Sequence, residues 1–179
     1  GDADHGINMT RGFKKAMQKL PALADKDIGH ILHNIGMILV SSIGGASGPL
    51  YGTFFLRSGS ALKSKEELTT DDLYTSFQAG VDGIKERGRA QIGDKTMYDL
   101  WVPALAALKN AADNKQSPET ALWLAIIAAE QALKDTIPLQ AKKGRASYLG
   151  ERSIGHQDAG ATSSYLMLKT LLDTVTAES

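Results

Sequence analysis

Two carboxylates one residue apart, followed by a histidine and an asparagine, stand at the start of the sequence: Gly1-Asp2-Ala3-Asp4-His5-Gly6-Ile7-Asn8. Oxygen donors at this density suit a hard divalent cation. Magnesium in particular is held by a few carboxylates, while phosphate oxygens and water complete its octahedron. Asp2 and Asp4 are therefore candidate metal ligands. The same residues also fit plain helix capping, which favours Asp and Asn. Gly1 and Gly6 weigh toward a ligand, because they let backbone approach it closely. A second constellation, Ser41-Ser42-Ile43-Gly44-Gly45-Ala46-Ser47-Gly48-Pro49, feeds small residues into a helix start. Exposed amides, hydroxyls and the positive end of a helix dipole make such a loop a phosphate cradle. No Gly-Lys-Ser/Thr follows, so it is not a Walker loop, and its glycines equally suit a C-cap and close helix packing.

Two further loops carry polar chemistry. Gly88-Arg89-Ala90-Gln91-Ile92-Gly93-Asp94-Lys95-Thr96-Met97 combines glycines, charges and a hydroxyl before a helix, and a turn with a cap explains most of it. The run from Lys142 to Gly160 holds four glycines, Arg145, Arg152, Tyr148, His156 and Asp158. An interhelical loop of that length needs a reason, and cations, hydroxyls and glycines together point to an anionic ligand. His30 and His33 lie one helical turn apart without a third ligand nearby, and read as ordinary helix residues. No Ser-His-Asp or thiol nucleophile motif is present, so no catalytic side chain is assigned.

Helices must position these loops. Apolar residues recur at helical spacing and strand-like alternation is almost absent. Expected helices run from about Asn8 to Lys19, Asp27 to Ile43, Pro49 or Leu50 to Lys63, Thr70 to Arg87, Thr96 to Asn110, Pro118 to Leu133, and from about Ala161 onward. Met9, Phe13, Ala16, Met17 and Leu20 should share one buried side of the first. The sixth, apolar nearly all round, reads as a buried helix, and Trp101, Trp123 and the methionines read as core. Mostly short connections between helices imply an antiparallel up-and-down bundle in a single domain over 1–179.

Composition narrows the function. The 179 residues carry 20 Lys and Arg against 20 Asp and Glu, so no basic excess exists to neutralise a run of phosphates, and nucleic acid is excluded as a partner. Without cysteine there is no thiolate zinc site. No apolar stretch approaches the roughly 20 residues that span a bilayer, so no membrane partner is expected. Local charge is uneven: acids at Asp2 and Asp4, cations at Lys142, Lys143, Arg145 and Arg152. The sequence starts inside a motif without an initiator methionine, so an N-terminal segment is expected to precede it.

Four blocks together, Gly1 to Met9, Gly44 to Gly52, Gly93 to Met97 and Gly144 to Ala161, resemble the nucleotide-binding L subunit of bacterial phosphotransferase-dependent dihydroxyacetone kinase, in order and over essentially the whole chain. The resemblance implies an all-α closed barrel of eight antiparallel helices, binding ADP or ATP with two Mg2+ ions, in the cytoplasm. The first helix and a third metal-binding aspartate would precede Gly1. Asp2 and Asp4 would bind metal; His5, Gly6, Ile7 and Asn8 would contact phosphates; Ala46 and Ser47 would supply the glycine-loop contact. Gly88 and Met97, with Thr96 beside them, would border the base. Arg145 would reach phosphate, and Asp158, Ala159 and Gly160 would close over the nucleotide. Implied partners are a phosphohistidine-carrying M subunit, a dihydroxyacetone-binding K subunit and, in a regulatory reading, a transcription regulator. A domain of a fused ATP-dependent kinase and a nucleotide-free helical interaction module are the competing readings.

Overall fold

The computed structural model describes residues 4–177. Among them the fold is all-α, with no strand: α1 (His5–Lys19), α2 (Ile28–Ser42), α3 (Ser47–Ala61), α4 (Thr70–Gly88), α5 (Met97–Asp113), α6 (Pro118–Asp135) and α7 (Ala159–Ala177), with 3-10 segments at Leu20–Leu23 and Arg145–Ser153. The residues gather into two compact units, residues 4–68 with Thr75–Arg89, and Thr69–Tyr74 with residues 90–177.

In the first unit, α2 and α3 form a hairpin whose backbones touch. A Cβ on Gly29 would lie 2.6 Å from the Leu62 carbonyl oxygen and 2.7 Å from that of Gly59, and one on Gly36 would lie 2.8 Å from the Leu56 amide nitrogen. Pairing of 29 with 59 and 36 with 52 shows that the helices run antiparallel. Glycine therefore replaces side-chain contact with backbone contact along this seam. Along α2, Ile28, Ile31, Leu32, Ile35 and Ile38 are partly buried and Leu39 is fully buried. α1 lays Gly12 against Leu39 and Ile43. Phe13, Phe55 and Phe54 make edge-on ring contacts, and Phe54 meets Phe77 in a tilted one, so the rings run from α1 through α3 to α4; Ser58 on α3 donates to the Ser76 carbonyl at 2.9 Å.

In the second unit the core is built from Leu100, Trp101, Ala104 and Leu108 on α5, Ala121, Leu122, Ala125 and Ala129 on α6, and Ala161 and Leu168 on α7. Alanines let the helices approach closely, and Leu and Trp supply the apolar volume.

Several expectations need correction. α1 begins at His5, three residues early, and α3 begins at Ser47, so that Pro49 lies inside its first turn. The 145–153 stretch is 3-10 helix broken at Gly150, whose ψ is −130°. Met17 is 66% exposed and Leu20 39%, so the buried stripe of α1 ends at Ala16. α6 is not buried all round: Trp123 is 54% exposed and Ile127 47%, because Ala121, Ala125 and Ala129 face the core instead. Met37, expected in the core with the other methionines, is 57% exposed.

Candidate functional site

Asp4 is the N-cap of α1, yet its side chain does not cap the helix. Its Oδ2 instead accepts from the Asn8 carboxamide at 3.0 Å, one turn on. Plain capping, the alternative open in the sequence, does not account for this carboxylate. Asn8 Oδ1 in turn accepts from Arg11 at 2.7 Å, and Arg11 Nε donates to the Ser42 carbonyl at 3.1 Å. The acidic start of α1 is thus tied to the glycine loop between α2 and α3. His5, 7% exposed, lies on the same side, its Nδ1 3.2 Å from Ser47 Oγ at the start of α3. The α3 N-cap is Ala46, which has no capping side chain, so nothing local covers the first-turn amides that every helix presents. Carboxylate, carboxamide, imidazole, hydroxyl and helix-start amides therefore converge in one place. That is the donor and acceptor set of a phosphate with its cation. Gly6 and Ile7 lie in the first turn of α1, with Ile7 exposed, and Gly88 is the last residue of α4, packed near Leu50. Asp2 lies outside the described residues.

The second unit brings together a different set. Thr96 caps α5 by accepting from the Tyr98 amide, and Asp99 Oδ2 accepts from the Thr96 amide at 2.7 Å, which closes a capping box. Met97 is the first residue of α5 and is buried. A Cβ on Gly160 would lie 3.1 Å from Asp158 Oδ2 and 3.2 Å from Met97 Cε, so Met97, Asp158 and Gly160 are neighbours. Asp158 Oδ2 accepts from the Ala161 amide at 2.7 Å, and its own amide donates to Thr136 Oγ1 at the end of α6. Burial pushes the Asp158 carboxyl up to about 6; the charge of Asp99 adds to this, while the Ala161 amide, Lys95 and the Gly160 amide oppose it. Ala159 opens α7, and Arg145, an exposed residue, opens the 3-10 segment. His30 and His33 are exposed on α2, and no cluster of His, Asp and Glu forms a metal cage among the described residues.

Arg11 and Asp99 escaped the sequence reading. Their signals were present: Arg11 is one turn beyond Asn8, and Thr-x-x-acid is capping-box spacing.

The DAK2 domain model matches residues 1–173. The chain belongs to the DAK2 domain family. It is 57% identical over 171 residues, 96% of its length and 81% of the relative's, to the PEP-dependent dihydroxyacetone kinase ADP-binding subunit DhaL of Escherichia coli K12. It is 41% identical to the PTS-dependent dihydroxyacetone kinase ADP-binding subunit DhaL of Lactococcus lactis, over 98% of the chain and 83% of that relative. Among solved structures, the native dihydroxyacetone kinase of C. freundii superposes with a TM-score of 0.71 at 25% identity, over 97% of this chain. The chain spans 29% of that enzyme's length. The helical architecture inferred from periodicity is the fold of this kinase domain.

Proposed function

We propose that this DAK2 domain is the ADP-binding subunit of a phosphotransferase-dependent dihydroxyacetone kinase, acting in the cytoplasm as a single nucleotide-binding domain. The observation that carries the reading is the link from the Asp4–His5–Asn8 turn to the glycine loop, through Arg11 to Ser42 and His5 to Ser47. It matches what a nucleotide phosphate with magnesium requires, and relatives named ADP-binding subunits support it. Asp4, with Asp2, would hold Mg2+, two ions by the family resemblance. An Asp4 carboxylate not used for capping fits that role.

Bound Mg-ADP would supply a phosphoryl acceptor and donor, loaded from a phosphohistidine on an M subunit and discharged to dihydroxyacetone on a K subunit. The chain's own residues position and neutralise. His5 and Asn8 would hold phosphate oxygens by hydrogen bonds, Gly6 and Ile7 would bring backbone close, and Ala46 and Ser47 would present helix-start amides. By the family resemblance alone, Arg145 would add a guanidinium to the phosphates, Gly88, Thr96 and Met97 would border the base, and Asp158, Ala159 and Gly160 would close over the ligand. No protein nucleophile is needed, because in-line phosphoryl transfer depends on positioning and charge neutralisation.

Calorimetric titration with Mg-ADP tests the site. The chain should bind, and the Asp2→Asn, Asp4→Asn variant should lose binding that depends on Mg2+. Equal binding by both removes the metal assignment, and no binding by the parent chain removes the nucleotide reading.

A further inference from the structure

Lys95 is a buried cation with no assigned role, 3% exposed. Its Nζ donates to the carbonyls of Ser153 at 2.6 Å and Leu139 at 2.9 Å, with that of Ile137 at 3.5 Å. An ammonium has three donors and no acceptor, so three carbonyls saturate it. These carbonyls come from separate stretches: Ile137 and Leu139 follow α6, and Ser153 ends the 3-10 segment. Other bonds tighten the same knot. The Lys142 amide donates to the Asp94 carbonyl at 3.0 Å, the Ala141 amide to Ser153 Oγ at 2.9 Å, and the Gly155 amide to the Ile137 carbonyl at 2.8 Å.

Two features show that this arrangement is held against resistance. The φ of Lys95 is 60°, a conformation uncommon outside glycine, which persists where the surroundings over-determine it. Burial also draws its ammonium below the ordinary lysine value, and the charge of Asp158 opposes that shift. An aliphatic side chain here would take the ammonium donor from the Leu139 carbonyl and from the buried Ser153 carbonyl. The tied segment includes Arg145 before Ser153 and leads into Asp158 after it.

We propose that Lys95 is a positioning residue for the nucleotide: by gathering the carbonyls of Ile137, Leu139 and Ser153 it fixes the segment that presents Arg145 and Asp158, and so sets how slowly bound nucleotide leaves. This rests on the function proposed above for the identity of the ligand; the knot itself stands on geometry alone.

The test uses the full chain with Lys95→Ala and Lys95→Gln. Mg-ADP release is followed by chasing a fluorescent ADP analogue, and amide exchange is followed by mass spectrometry across residues 139–158. Both variants should release the analogue roughly ten-fold faster or more, the factor expected from losing charge-assisted bonds, and exchange should rise in that stretch while α5 and α6 stay protected. Ammonium chloride should slow release from Lys95→Ala again by filling the carbonyl cage, whereas tetramethylammonium chloride at equal ionic strength should not. A merely structural lysine would give no such ion-selective rescue.

Unchanged release with unchanged exchange overturns the proposal, as does rescue by both salts alike. A Lys95→Gln chain that fails to fold also overturns it, because a pin on one segment is not required by the α5–α6–α7 core. If the parent chain holds no Mg-ADP, the functional reading fails; raised exchange in the variants then shows the knot without a nucleotide role, and the positioning proposal falls with it.

Discussion

The surroundings of Asp158 raise its carboxyl from an ordinary 3.8 to about 6. The folded chain holds this proton more tightly than the unfolded chain does. Its contribution to stability is therefore complete below about pH 4 and is lost as pH rises through about 6. Asp158→Asn keeps an oxygen for the Ala161 amide but no longer titrates. In the ligand-free chain it should be more stable than the parent at pH 8 by about 1–2 kcal/mol, discounted for partial exposure, and should lose the slope between pH 4 and 7. Urea unfolding at several pH values reads this, and an unaltered slope would disprove the assignment. At the other group of residues, Ser47→Ala removes the hydroxyl that meets His5. It should weaken Mg-ADP binding by about 1 kcal/mol, roughly five-fold, in calorimetry, with little change in the melting temperature.

Elements show where local rules hold and where the site overrides them. The α2–α3 hairpin depends on bare backbone: a Cβ at Gly36 meets the Leu56 amide nitrogen at 2.8 Å and the Gly52 carbonyl oxygen at 2.9 Å, neither of which can swing aside. Gly36→Ala should therefore destabilise the chain by about 1–3 kcal/mol in urea unfolding. Gly6→Ala, with nothing within 4 Å of the added carbon, should leave the ligand-free chain as stable or slightly more so. The starts of α2, α5 and α6 were legible because Asp27, Thr96 and Ser117 cap with their own side chains. The starts of α1 and α3 were not, because Asp4 and Ala46 make no such bond and the first turns hold His5-Gly6 and Ser47-Gly48, poor helix formers whose presence the packing overrides. Those two misplaced helix starts coincide with the candidate phosphate site, where local propensity is expected to yield to function. The knot around Lys95 was illegible for another reason: its partners are main-chain carbonyls, which leave no trace in residue type.

At the scale of the whole molecule, a ligand that binds only the folded chain must raise its stability by mass action. Mg-ADP at one hundred times its dissociation constant should add about 2.7 kcal/mol. For a chain of this size that is a rise of roughly 5–10 °C in melting temperature. Adding EDTA should erase most of the gain if Asp2 and Asp4 hold the cation, and scanning calorimetry with and without chelator would check it. The chain also carries its own optical reporters of such changes. Of its two tryptophans, Trp101 is 1% exposed and Trp123 is 54% exposed. Under iodide the emission should split: the solvent-facing indole on α6 is extinguished, and the light that survives comes from the one on α5, a single helical turn from Met97, so the native chain reports on the neighbourhood of its proposed base contact without any dye.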